Sequence, residues 1–364
     1  MKNKVRKRES EKGIVLVIVI IVLAILMILV TDLIYFTQID TEIASNTRDE
    51  IKARYIAKSG IHIASGTLKV RSLEELSQIS SPLSGQGENS EGAWAINVPY
   101  FPVGEGSASV NVVDERSKIN LNALVSPSSN RIDNQVLKEL TELFRFLDID
   151  SSKSERFISS LVNWLDAPLE GAPNDQDSGG ANGDFYASLE TPYSIKDGPL
   201  DTLEEILMID GMDDEFFNKI KDYVTVYPDD KKINLSTAPK VVLMAAIKGS
   251  AVPAIEGTGR YEDDNEIDDD LAEQAADEII AAREEDPVVT RSKARDIVSD
   301  IGDNAQISAG LVGVAISSGN SEIFTVTAVG SLGEENPTKR VIEAVIKKKG
   351  GQQPSVDIVT WKEL

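Results

Sequence analysis

The chain has no cysteine. That absence excludes disulfides, thiolate nucleophiles and cysteine-ligated metals, leaves the redox compartment open, and means that any metal must be held by oxygen. Histidine is nearly absent too: the single one, His62, falls in a predicted helix beside an apolar segment, where an ordinary, partly exposed residue accounts for it. Aromatic residues are only 5% of the chain, so no substrate-binding aromatic cluster accompanies the many carboxylates, as a glycosidase or protease cleft would require. Basic residues gather at the start, the formal net charge is −23, and the remainder is more acidic still, which excludes nucleic acid as a partner. No catalytic constellation is left, and the chain is not expected to be an enzyme.

What the chain does have is concentrated at its N-terminus. Lys2, Lys4, Arg6, Lys7, Arg8 and Lys12 precede an unbroken apolar run from Ile14 to Val30. At ~1.5 Å per residue that run is about 25 Å long, and it extends through Leu33 to Phe36 with only Thr31 and Asp32 interrupting. A single membrane-spanning helix over 14–36 is predicted. The basic flank keeps the N-terminus cytoplasmic, and in a Gram-negative inner membrane the bulk of the chain is then periplasmic. A secretory signal peptide is the rival reading, but it would have a shorter core ending at a small-residue cleavage site, and none follows Val30. Beyond the span, Ile39, Ile43, Ile51 and Tyr55 recur at multiples of four, so an amphipathic helix is predicted to continue to about Val70.

A length of 364 residues calls for two or three folded units. Two strand-like runs, 93–103 and 107–114, flank Gly104-Glu105-Gly106, and two more, 322–330 and 338–347, flank a Gly/Pro turn. Each pair is read as a hairpin. Between them lies a long, acidic, mostly helical stretch. The expected fold is therefore α+β: a long N-terminal transmembrane and amphipathic helix packed on a small antiparallel sheet, with a large, mainly helical domain inserted between strands. The expected divisions are a basic leader (1–13), the span (14–36), the amphipathic helix with the first strands (37–119), the inserted domain (120–318) and the final strands (319–364).

Within the insert, Asn-Leu-Asn at 120–122 and Asn234-Leu235-Ser236-Thr237-Ala238-Pro239 read as turn and N-cap chemistry. Leu203 to Met212 followed by Phe216, Phe217, Ile220 and Tyr223 reads as two short helices around Gly211. A DNA-binding hairpin would look similar, but Asp213, Asp214 and Glu215 at its turn would repel phosphate, so packing is the better reading. The acidic run 262–270 is expected to be a solvated linker leading into a helix over 271–285. Asp166 to Tyr186 carries Glu170, Asn174, Asp175, Asp177, Asn182 and Asp184 among glycines. Hard oxygen donors on such a loop suit calcium, and a metal-organised loop and a solvated acidic loop are equally open on composition.

The order Glu11-Lys12-Gly13-Ile14-Val15-Leu16 resembles the cleavage site of type IV prepilins and pseudopilins. In the same order along the chain come Asp114-Glu115, Lys118 to Asn122, Leu161 to Asp166, Gly198-Pro199-Leu200, Leu203 to Leu207, Gly211-Met212-Asp213, Ile233 to Ala238 and Ile358 to Trp361. Together these stretches resemble the K-type family, the large minor pseudopilins of type II secretion systems. The resemblance implies cleavage by a prepilin peptidase between Gly13 and Ile14 and retention of the apolar helix as assembly stem. It also implies assembly with other minor pseudopilins and the inner-membrane secretion platform, initiating or capping the tip of a short periplasmic filament, with a secreted substrate as a further partner. Most pilin-like subunits carry glutamate as the fifth mature residue; here that position is Ile18, a departure that the K-type subunit typically shares. A calcium site is implied among Asp166, Glu170, Asp175, Asp177 and Asp184, although Ala167-Pro168 and Gly171-Ala172-Pro173-Asn174 stand where the family often has further acidic residues. The alternatives are a type IV pilus minor pilin and a membrane-tethered, calcium-dependent binding protein.

Overall fold

The computed structural model describes residues 2–70, 95–126, 129–166, 179–228, 230–251, 267–301, 315–316, 321–333, 336–350 and 354–364. The N-terminus forms one helix, α1 (Lys2–Val70), of 69 residues, roughly 100 Å long at 1.5 Å per residue. Its polar residues do not interrupt it, because the hydroxyls of Thr31, Thr37 and Thr41 donate back to the carbonyls of Met27, Leu33 and Thr37 at 2.7–2.8 Å. Each is thus satisfied inside the helix, as an apolar surrounding demands.

The distal third of α1 lies on a five-stranded antiparallel sheet of order β1-β2-β5-β6-β7. Its strands are β1 (Ala95–Val103), β2 (Gly106–Asp114), β5 (Ile323–Leu332), β6 (Thr338–Lys349) and β7 (Ser355–Glu363). Both expected hairpins are present, and β1 carries Pro99 and Pro102 at the sheet edge, where a missing N–H costs no ladder bond. Alternation sets the inner face. Val110, Val112, Phe324, Val326, Ala328, Ile342, Ala344 and Ile346 meet Ala57, Ile61, Ala64 and Leu68 of α1 in one core.

The side of α1 that seats on the sheet differs from the expected stripe. Ile43, Ile51 and Tyr55 are 58%, 50% and 64% exposed, and Ile39 is half-buried, while the fully covered row is Ala53, Ala57 and Ile61. Small residues win the contact because the helix comes so close: Gly60 lies against Ala328 and Val110, and Gly330 of β5 lies against the α1 backbone at Ala53. The bulkier apolar residues are left on the outer side.

The helical insert leaves at the end of β2 and returns at the start of β5, and these two strands pair directly, with Asp114 opposite Phe324. Chain entry and exit are therefore neighbours, which is what lets a sheet tolerate so long an insertion. The insert contains β3 (Ile119–Asn120), α2 (Asn134–Phe146), α3 (Ser151–Leu165), α4 (Gly183–Ala187), a 3-10 turn (Leu203–Met208), α5 (Asp214–Ile220), β4 (Val224–Thr225), α6 (Lys240–Ser250), α7 (Asp269–Glu285) and α8 (Arg291–Ile301). Aspartates start several of these helices: Asp133 accepts from the amides of Gln135 and Val136, Asp150 from Lys153, and Asp213 from Phe216. The acidic turn at 213 is thus a cap, as a packing module requires. A second core fills the insert, with Phe144, Phe157 and Phe216 meeting edge-on or tilted at 5.1–6.0 Å between centroids.

The acidic run before α7 is more engaged than a solvated linker. Residues 262–266 lie outside the described residues, but Asp269 accepts from Arg145 at 2.7 and 2.8 Å and from the buried ammonium of Lys248 at 2.5 Å. The buried lysine needs a counter-charge, and Asp269 in the first turn of α7 brings one across to α2 and α6.

Candidate functional site: the exposed stem and the joint of the insert

The largest uncovered apolar surface is on α1. From Ile14 to Phe36 the large hydrophobic side chains are 47–74% exposed, far more contiguous apolar surface than a soluble monomer leaves in water. The segment is long and apolar enough to cross a membrane. Ile18 is 54% exposed within it, one more apolar surface residue. Gly13 lies in the helical backbone one residue before Ile14. Past the apolar segment, Ile43, Ile51 and Tyr55 continue the exposed surface outward, interleaved with Arg48, Lys52, Arg54 and Lys58.

The sheet fixes the direction in which the insert points. Gly330 and Gly106, at one end of β5 and β2, face Ala53 and Ile56 of α1, whereas Asp114 and Ile323, where the insert departs and returns, are at the opposite ends of those strands. The insert is thereby carried at the end of the molecule remote from the apolar segment.

A buried polar joint holds it there. The Asp114 carboxylate is fully buried and accepts from the Arg116 amide (2.9 Å), Asn234 Nδ2 (2.9 Å), Thr237 Oγ1 (2.6 Å) and Ser321 Oγ (2.5 Å). One side chain thus ties the outgoing strand, the middle of the insert and the returning strand. Burial pushes its carboxyl above the usual range, against the pull of those donors. Glu115 beside it accepts from Thr225, Thr325 and Lys118 at 2.5–3.0 Å. Burial raises its carboxyl, but the Lys118 charge and the two hydroxyls outweigh that and leave it below the usual range. Arg116 completes the joint with a two-pronged contact to Asp230 at 2.7 and 3.1 Å.

The asparagines expected to cap turns do so and also act as long-range staples. Asn120 and Asn234 accept from the amides of Asn122 and Ser236 at 3.0 Å, and Asn122 exchanges bonds with Leu200 while donating to Val226.

Of the acidic-loop residues, Glu170, Asp175 and Asp177 lie outside the described residues. Asp166 ends α3 and accepts from Asn130 Nδ2; Asp184 is exposed in the first turn of α4. No contact among the described residues joins the two, and those residues contain no group of three or more His, Asp or Glu side chains arranged to hold a metal. Asp197 is an acid that sequence reasoning passed over. Burial, and after it the Asp166 charge, hold its carboxyl above the usual range. The Asp197-Gly198 dipeptide is the turn signal that the sequence carries there, and Asp197 takes a left-handed backbone (φ 52°).

These features define a class, the pilin-like α+β fold: among the described residues one N-terminal apolar helix is seated on an antiparallel sheet. Known proteins narrow it. Residues 117–229 match the family model "Type II secretion system (T2SS), protein K", and residues 12–62 match "PilX N-terminal". The "Type II secretion system protein K" of Klebsiella pneumoniae is 22% identical over 255 residues, covering 68% of this chain and 73% of that protein. Its namesake in Aeromonas hydrophila is 24% identical over 152 residues, covering 40% of this chain but only 45% of the relative. A chain in the crystal structure of the GspK-GspI-GspJ complex from the type 2 secretion system of enterotoxigenic Escherichia coli shares the fold. Its TM-score is 0.53 at 18% identity, covering 90% of this chain and 99% of that one. Over residues 117–229 the chain is thus similar to protein K of type II secretion systems, and it shares the α+β pilin-like fold of the solved chain.

Proposed function

We propose that a prepilin peptidase cuts this chain after Gly13 and that residues 14–36 then anchor it in the inner membrane. Its N-terminus faces the cytoplasm and its sheet and insert face the periplasm. There it joins other minor pseudopilins on the secretion platform and initiates or caps the filament tip. The observation that carries this reading is the uncovered surface of α1, apolar through the span and studded with Ile43, Ile51 and Tyr55 beyond it. Neighbouring stems can cover it by helix packing, without any reaction. The placement of the insert supports the tip role, since its bulk stands at the far end of the stem, where it obstructs the addition of a further subunit. In the solved complex the partners of GspK are GspI and GspJ, and we infer the corresponding minor pseudopilins as partners here. The test is co-purification from detergent-solubilised membranes with and without a change of Ile51 and Tyr55 to Glu. Partners retained by the wild type and lost by the variant support the reading; a wild type that brings down no pseudopilin overturns it.

A calcium ion belongs to the same proposal. The Asp166 charge reaches Asp197 and helps to raise its carboxyl, and a cation beside the two acids would relieve that repulsion; the remaining oxygen ligands that calcium needs would come from outside the described residues. Asp166 would hold the ion, with Asp184 at the far end of the loop, and the ion would supply folding stability and no chemistry. A calcium-dependent rise in melting temperature that survives the change of Asp166 and Asp184 to Ala would remove both from the site.

A further inference from the structure

The interior of the insert holds a carboxyl that the fold leaves unmet. Glu139, midway along α2, is 1% exposed, and neither of its side-chain oxygens has a hydrogen-bond partner among the described residues. The equally buried Asp114 and Glu115 are each met by three or more donors, so this is not how the chain treats buried acids elsewhere. Gly249 of α6 closes over the group: a Cβ on Gly249 would lie 2.4 Å from Glu139 Cγ and 3.2 Å from its Oε1. A side chain at 249 would press on Glu139 and on the α2 backbone, with Gln135 O 3.1 Å from the Cβ position, so a glycine suits the place where the two helices meet.

The charged groups around Glu139 are committed elsewhere. Lys231, from the segment leading to Ile233, donates to Asp133 Oδ2 at 2.6 Å. Asp133 in turn caps α2. On α6, Lys248 is turned to Asp269 and Glu142, and Lys138 on α2 is paired with Glu142. An ionised Glu139 would therefore be shut off from solvent with no donor among the described residues, the arrangement that a protein interior tolerates least.

We propose that Glu139 is a proton-operated catch between α2 and α6: it is a neutral acid while the two helices are closed, and its ionisation releases α6 from α2. Burial pushes this carboxyl well above the usual range, and the partial pull of Lys231 is opposed by Asp133. The sign follows. Below the usual carboxylate range the open and closed forms are both protonated, and pH has no leverage. Above it the open form loses its proton first, so opening is favoured by up to tenfold per pH unit until the value for the closed form is reached. The insert is tightest in mild acid and loosens towards alkaline pH, while the stem and sheet, which do not contain the group, are unaffected.

The test is hydrogen exchange of the full chain in detergent from about pH 5 to about pH 9, corrected for the intrinsic rate and followed by mass spectrometry. In the wild type, protection of the 134–146 and 240–250 peptides falls as pH rises, by up to tenfold per unit. In Glu139→Gln it stays flat, and the β2 and β5 peptides show no difference between the two proteins. Equal pH dependence in both proteins, or a flat wild-type profile, overturns the proposal. If the glutamine variant does not fold, Glu139→Met carries the same expectation. Failure of both neutral replacements to fold also overturns it, because a site that holds a neutral group should accept one.

Discussion

Replacing Gly330 by alanine probes how closely the stem is seated on the sheet. A Cβ at this position would lie 2.0 Å from the Ala53 carbonyl oxygen and 2.5 Å from the Ala57 amide nitrogen. Both are α1 backbone atoms, with no flexible side chain to swing aside, so the helix must back away by more than about 1 Å to restore ordinary contact. That movement also loosens Gly60 from Ala328 and the Ala57–Ile61 row from the sheet core. Overpacking of this kind costs about 1–3 kcal/mol when side chains can adjust, and a backbone clash should reach or exceed the top of that range. Gly66→Ala is the control. Nothing lies within 4 Å of a Cβ there, and alanine in an exposed helix gains up to about 1 kcal/mol over glycine. Urea melts of the full chain in detergent should show Gly330→Ala destabilised by roughly 3 kcal/mol and Gly66→Ala unchanged or slightly stabilised. A Gly330→Ala protein within about 0.5 kcal/mol of wild type would refute the close seating of α1.

Two further outcomes follow from the joint and from the insert. Asp114→Ala leaves the buried groups of Asn234, Thr237 and Ser321 without their acceptor, and a loss of about 3 kcal/mol or more is expected in the same melts. Asp114→Asn, which keeps the shape, should lose less. At Asp269, the bonds from Arg145 and then Lys248 hold the carboxyl down at about 2. A depressed value means that its contribution is complete above the ordinary aspartate range and is lost as pH falls towards 2. The side chain is 44% exposed, so after solvent screening the contribution is about 1 kcal/mol. The stability difference between wild type and Asp269→Asn should therefore be present at pH 6 and vanish near pH 2; a difference that persists there would assign the effect to packing.

The parts of the molecule legible in the sequence were those written in local patterns. The span announces itself as an unbroken apolar run behind basic residues. The hairpins show strand alternation around glycines, and the N-caps show aspartate or asparagine ahead of a helical period. The joint was not legible, because Asp114 meets Asn234 and Ser321 at separations of 120 and 207 residues and no window spans both. Asn234 could be read only as a turn residue, although its cap is half of what it does. The seating of α1 was misread for a different reason. Spacing by fours finds the large apolar residues Ile43, Ile51 and Tyr55, but a helix lying this close to a sheet buries its alanines and glycine and turns the bulk outward. The unmet carboxyl of Glu139 carried no local signal, since an acid in an amphipathic helix reads as surface until the packing against Gly249 is known.

The central claim, that this is a pilin-like subunit whose apolar helix is an assembly stem, is tested most directly by the intact mass and N-terminal sequence of the chain isolated from membranes, with and without an active prepilin peptidase. The account predicts a peptidase-dependent start at Ile14, with the whole apolar segment retained. A start at Met1 with the peptidase active, or cleavage beyond Val30 that releases the chain from the membrane, would contradict it.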